Sequence, residues 1–193
     1  MYQNRNKELE ILALFIGGYD RQFYLREISK LARLPLKTTQ NLTAYLEKNR
    51  IMKGSMRGKN KYFKLNLDNV KTKLYLIQTE LHKTALFTDK YPVFKPFMKG
   101  IRTNTPLIVF GSFAEFKADK ASDLDLLVIS KEKQALPFYL LPYNVHLIEL
   151  SETSFVKALE KKEALVGEVG EKHIILNNHS FFVNTMWNWY GKR

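Results

Sequence analysis

The sequence contains no cysteine among its 193 residues, which excludes disulfides and thiolate-bound metals. It has no apolar run long enough to span a bilayer, and no charged-then-apolar signal segment opens it. The expectation is a cytoplasmic protein that does not enter a membrane. Acidic residues are outnumbered, 19 Asp/Glu against 31 Lys/Arg, for a net charge of +12. What is present is ordinary for a folded protein: 45% hydrophobic and 26% charged residues. This length accommodates one large domain or two small ones.

The basic excess is confined to the first half. Residues 1–68 hold 14 Lys/Arg against 6 Asp/Glu, residues 69–100 hold 6 against 2, and residues 101–193 hold 11 of each. A polyanion would therefore be attracted to the first half only. Three helical patterns come first there: residues 7–16, ended by Gly17-Gly18; residues 25–33, with Leu25, Ile28, Leu31 and Ala32 in a stripe; and residues 36–49, with Leu42, Leu46 and Thr39 facing inward. Leu34-Pro35 separates the last two, because a proline disfavours helix in the residue before it. Two strand-like runs follow, 51–54 and 61–65, around a polar tip at 55–60.

Two helices joined by a short turn and followed by a basic hairpin make a winged helix-turn-helix. Residues 5–67 resemble the winged-helix domains of prokaryotic transcriptional regulators. Lys37, Thr38, Gln40 and Asn41 would then face the major groove of double-stranded DNA, where Gln and Asn can pair with adenine and Lys with guanine or phosphate. Arg57, Lys59 and Lys61 would reach the phosphate backbone from the wing. Residues 69–100 read as a helical connector with Leu74, Ile77, Leu81 and Ala85 at helical spacing, packed between domains or against its copy in a homodimer.

The chemistry lies in the second half, residues 101–193. A buried strand (106–110) runs into Gly111-Ser112, and a second apolar strand starts at Asp123-Leu124-Asp125. Strand alternation puts Asp123 and Asp125 on one face. Two adjacent carboxylates repel unless a cation neutralises them, and oxygen ligands favour a hard ion such as Mg²⁺. Gly111 lets the backbone approach a phosphate, to which the Ser112 hydroxyl can donate.

Residues 109–130 resemble the signature of the DNA polymerase β-like nucleotidyltransferases, in particular a minimal prokaryotic type found fused to winged helices. The resemblance implies an α+β chain: an N-terminal winged helix-turn-helix and a C-terminal small mixed-sheet nucleotidyltransferase-type domain. It implies ATP or another NTP as substrate, two Mg²⁺ ions held by Asp123 and Asp125, phosphates gripped by Gly111 and Ser112, and a protein, RNA or small-molecule acceptor. Three positions depart from the family pattern. Phe116 stands where a second glycine is usual, Glu115 where a basic residue is common, and His146 where a third carboxylate is expected. Glu149 would point to the opposite face of the same strand. Two functions stay open: an enzyme transferring NMP, most plausibly AMP, to a hydroxyl, and a degenerate DNA-binding regulator whose second domain senses nucleotide or mediates dimerisation.

Overall fold

The alternating helical and strand-like patterns take shape in a computed structural model that describes residues 7–192. The first six residues of the expected 1–68 domain and Arg193, the last of the expected 101–193 domain, lie outside it. The chain divides into two compact units, Met1–Thr79 with Met186–Arg193, and Glu80–Thr185.

In the first unit, helix α1 (Lys7–Leu12) buries Leu9, Ile11 and Leu12. The helix expected over 7–16 stops there, because Leu14 and Phe15 bond back three residues instead of four and tighten the chain. Strand β1 (Phe23–Tyr24) leads into α2 (Leu25–Leu31), and α3 (Leu36–Lys48) follows. The turn between α2 and α3 is closed by Arg33 in the left-handed region and by a Leu34 N–H to Ser29 C=O bond, a Schellman-type stop. Helix α3 buries Thr39, Thr43 and Leu46, while Leu42 is half-buried. Strands β2 (Met52–Arg57) and β3 (Asn60–Leu65) form a hairpin, and β3 pairs with β1 on its other edge, giving the antiparallel order β1-β3-β2. The tip is the two-residue turn Gly58-Lys59, shorter than the expected 55–60. Gly58 at φ +58° supplies the positive dihedral that a tight hairpin needs.

Residues 69–100 are helical, as α4 (Val70–Lys90) and α5 (Phe94–Gly100). Of the stripe at helical spacing on α4, Leu74 is 54% and Leu81 49% exposed, Ala85 is exposed and Ile77 is half-buried. The buried face is instead Thr72, Leu76, Thr79, Glu80, Thr84 and Phe87. Polar residues occupy it because each finds a partner: the Thr72 hydroxyl donates to Ile51 C=O, that of Thr84 to Ile175 C=O, and Glu80 meets His173.

The second unit is built on a four-stranded mixed sheet of β4 (Leu107–Phe110), β5 (Leu124–Ile129), β6 (Val145–Leu150) and β7 (Ile174–Asn177), in the order β6-β5-β4-β7. Strand β4 is antiparallel to β5 and β7, and β5 is parallel to β6. One face carries Leu107, Val109, Leu124, Leu126 and Val128 into a core with Phe87, Phe94 and Phe97. The residues that alternate with them, Ile108, Leu127 and Ile129, are buried as well, so both faces of the central strands are covered. This explains why these runs read as continuous apolar segments. Between the central strands lies the short helix α6 (Gly111–Ala114).

Two helices follow β6, α7 (Glu152–Lys161) and α8 (Ala164–Glu171), separated at Lys162 in the left-handed conformation. Ser151 caps α7, its Oγ accepting from the Ser154 N–H at 3.0 Å. The aromatic tail forms α9 (His179–Gly191). Phe182 is fully buried, and Tyr190 stacks on Tyr19 with ring centroids 5.2 Å apart. Among the described residues no helix is long and apolar enough to cross a membrane.

Candidate active site

The site forms where β4 ends and β5 begins. In the antiparallel register Phe110 lies opposite Asp125, so the residue after Phe110 turns directly over the Asp125 side chain. That residue is Gly111, at φ +64°. A Cβ there would lie 2.4 Å from Asp125 Oδ2, closer than any side chain tolerates. Two independent constraints therefore demand glycine: the left-handed backbone and the carboxylate under it. Ser112 follows, half-buried in the first turn of α6.

Asp123 and Asp125 flank the start of β5, and β6 brings His146 alongside. Asp125 and His146 are direct partners in the parallel register. His146 Nδ1 is 3.5 Å from Asp125 Oδ1, and Nε2 is 3.9 Å from Asp123 Oδ2. The structure thus gathers Gly111, Asp123, Asp125 and His146 at one end of the sheet. Glu149 pairs with Val128 and falls on the opposite face from His146. Asn144, which the sequence reading did not single out, donates from Nδ2 to Asp123 Oδ1 at 3.1 Å. Its signal was available: it stands two residues before His146, where the parallel pairing of β5 and β6 begins.

Among the described residues no three carboxylate or imidazole groups form a ready metal cage. Two carboxylates are nevertheless what a Mg²⁺ site of the phosphate-transfer kind provides, since Mg²⁺ binds through one or two carboxylates and completes its shell with substrate phosphates and water. Both carboxylates are partly exposed, so the donors present fit such an ion.

The departures at 115 and 116 have structural counterparts. Phe116 adopts φ +60°, the left-handed conformation for which glycine is the ordinary choice. A non-glycine residue there costs roughly 1–2 kcal/mol. The ring offsets this by packing edge-on against Phe87 at 6.2 Å, and the Phe116 C=O accepts from Lys90 Nζ. Glu115 is held by two lysines, Lys117 at 2.6 Å and Lys172 in a close ion pair. Hydrogen bonds from Lys117 and Lys172 pull its carboxyl down to about 2. The loop onward to Asp123 is closed by Asp119, whose Oδ1 accepts from the Ala121 N–H at 2.9 Å and the Ser122 hydroxyl at 3.0 Å. Hydrogen bonds from Ser122 and then Ala121 lower the Asp119 pKa.

In the first unit, Lys37, Gln40 and Asn41 are exposed and Thr38 is half-buried on the opening turns of α3. Arg57 and Lys59 stand exposed at the hairpin tip, with the Arg57 guanidinium 5.4 Å from the Tyr62 ring centroid. Lys61 is engaged by Glu47 Oε2 at 2.6 Å. Gly54 leaves the room for this pair, since a Cβ there would lie 2.4 Å from Glu47 Oε1.

No curated protein matches the chain, and no solved structure does. Residues 94–180 match the family model described as nucleotidyltransferase domain. The matched stretch runs from α5 to the start of α9 and contains every residue of the Gly111–Asp125–His146 end. The second half of the chain carries a nucleotidyltransferase domain.

Proposed function

We propose that the protein transfers the NMP group of a nucleoside triphosphate, most plausibly AMP from ATP, to a hydroxyl on a protein, RNA or small-molecule acceptor, and that its first unit is a winged helix-turn-helix that binds double-stranded DNA. The observation that carries the first part is the packing of Gly111 directly over Asp125 with Asp123 and His146 beside it. A polyphosphate needs a backbone it can approach closely and a carboxylate pair that recruits a divalent cation, and here the two are adjacent.

In this reading Asp123 and Asp125 hold two Mg²⁺ ions, with Asn144 fixing the Asp123 carboxylate. Bound Mg²⁺ supplies the positive charge that stabilises the transition state at the α-phosphate. Gly111 lets the phosphate chain lie against the backbone, and the Ser112 hydroxyl donates to it. The acceptor oxygen bonds to the α-phosphorus as the bridging bond to the β-phosphate breaks, pyrophosphate departs, and His146 takes the hydroxyl proton. Transfer of label from α-labelled ATP by the wild type, lost in Asp125→Asn, is the expected result. An Asp125→Asn protein that labels the acceptor as well as the wild type does would remove the proposal.

DNA binding is supported by the net charge of +8 over residues 1–68 and by the exposed Lys37, Gln40 and Asn41 on a helix beside a basic hairpin. Lys61 contributes less than its neighbours, because Glu47 already occupies it. The exposed Leu74 and Leu81 on α4 support homodimerisation through that helix.

One observation favours a second reading. An imidazole sits between Asp123 and Asp125 where a third acid would add negative charge. A domain that binds nucleotide without turnover, serving a DNA-binding regulator, fits that substitution. Nucleotide-dependent DNA affinity with no label transfer distinguishes it.

A further inference from the structure

The end of the sheet that holds the carboxylates continues past Gly111 to a second charged group. Strand β7 pairs with β4 through Ile175 opposite Ile108 and Ile174 opposite Val109. Continuing that register by two residues brings Lys172 to the end of the sheet where Gly111 turns. Lys172 forms an ion pair with Glu115 there. Glu115 itself sits one turn below the glycine, its N–H bonded to Gly111 C=O at 3.2 Å. Lys117 closes on the other oxygen of the same carboxylate at 2.6 Å. Across that end of the sheet the order is therefore His146, Asp125 with Asp123, Gly111, then Lys172 with Lys117: acid on one side of the glycine turn and base on the other.

We infer that Lys172 and Lys117 form the cationic end of the nucleotide site, receiving the terminal phosphates of the triphosphate, and that Glu115 is the counter-charge those phosphates displace. The inference rests on the nucleotidyltransferase reading and deepens it. A triphosphate is elongated and anionic, so a site that binds it along one line needs positive charge at both ends. Cation-binding carboxylates serve the end nearer the α-phosphate, and the lysines serve the far end. Glu115 has no apolar reason to be where it is. It is only 24% exposed, yet its carboxylate is matched by two lysines from separate segments that are themselves 73% and 56% exposed. Such exposed pairs contribute little to folding, and the lysine heads are free to exchange one anion for another.

The test is calorimetric titration of ATP and, separately, AMP, each with Mg²⁺, into three full-length proteins: wild type, Lys117→Met/Lys172→Met and Glu115→Gln. The lysine double variant is expected to lose on the order of tenfold in ATP affinity with AMP affinity unchanged, because AMP has no terminal phosphates to reach the pair. Glu115→Gln is expected to tighten ATP binding and leave AMP alone. Unchanged ATP affinity in the lysine variant, or an equal loss for ATP and AMP, overturns the inference while wild-type binding leaves the underlying reading standing. No ATP binding by the wild type removes both.

Discussion

Gly111 and Asp125 are in mutual contact: the glycine's missing Cβ is the space that Asp125 Oδ2 occupies, 2.4 Å from where that atom would be. Backbone and carboxylate are thereby set at a spacing that no other residue at 111 preserves. Gly111→Ala is expected to abolish Mg²⁺-dependent ATP binding and to lower stability by about 1–2 kcal/mol from the left-handed backbone alone. Gly58 provides the control, because it has a similar φ of +58° but open space around its Cβ. Gly58→Ala is expected to carry the backbone cost without touching nucleotide affinity. Urea denaturation and ATP titration of both variants check this; equal effects on ATP would contradict the role given to the Asp125 contact.

His146 separates the two readings of the domain. Converting it to Asp places a third carboxylate beside Asp125, its partner in the parallel register. Affinity for Mg²⁺ or Mn²⁺ is expected to rise about tenfold or more in His146→Asp, since each added carboxylate strengthens a hard-cation site. If His146 takes the proton, label transfer is expected to fall on the order of 100-fold in His146→Ala. A His146→Ala enzyme with undiminished transfer would remove the imidazole from the chemistry.

Glu80 and His173 form a fully buried pair, Oε1 to Nε2 at 2.9 Å, while Glu80 Oε2 and His173 Nδ1 find no hydrogen-bond partner among the described residues. Removing one member leaves the other's polar atoms unsatisfied, so Glu80→Ala or His173→Ala is expected to cost about 1–3 kcal/mol or more. The double substitution to apolar residues is expected to cost less than the sum of the two, which a double-mutant cycle by urea denaturation measures. Strict additivity would show that the pair is not coupled.

His179 gives the fold a pH dependence. Its Nε2 lies 3.0 Å from the Thr84 hydroxyl, and its pKa is lowered from 6.5, chiefly by burial, with Glu80 opposing and His173 adding to the shift. The folded protein therefore favours the neutral ring, and protonation favours the unfolded chain. This contribution is fully present above pH 6.5 and is lost as pH falls from there through the folded pKa. Unfolding midpoints measured from pH 8 to 5 are expected to fall more steeply for the wild type than for His179→Gln. Parallel curves would contradict it.

Much of this was legible in the sequence, and the failures have physical causes. The strand ends at Gly111 and Asp123–Asp125 could be read because apolar strands stop abruptly at residues with no reason to be apolar. The α4 face could not be read: Thr72, Thr84 and Glu80 are buried by virtue of partners at Ile51, Ile175 and His173, far away in sequence. Leu74 and Leu81, which hydrophobicity alone would bury, stay outside. The same holds at the site. Glu115 was visible as an odd acid, but the two lysines that explain it were not, because Lys172 arrives from the far end of the domain. Phe116 shows that a missing glycine need not mean a missing turn, since the left-handed conformation persists with a phenylalanine in it.

The proposed DNA-binding role is testable by salt. Arg57→Ala, at the hairpin tip, is expected to weaken binding to duplexes of any sequence and to reduce the slope of log affinity against log salt by about 1. Gln40→Ala and Asn41→Ala, on α3, are expected to reduce discrimination between sequences with little change in slope. Fluorescence anisotropy over a salt series makes both measurements. An unchanged slope for Arg57→Ala would take the wing off the phosphate backbone.

In the proposed function Asp123 and Asp125 recruit the cation that fixes a nucleoside triphosphate over Gly111. Titration of ATP into wild type and into Asp123→Asn/Asp125→Asn, each with and without Mg²⁺, tests it most directly. Binding that requires Mg²⁺ and vanishes in the double variant is the expected result. Binding of equal strength in both proteins, or none in the wild type, would rule out a cation-dependent nucleotide site at these carboxylates.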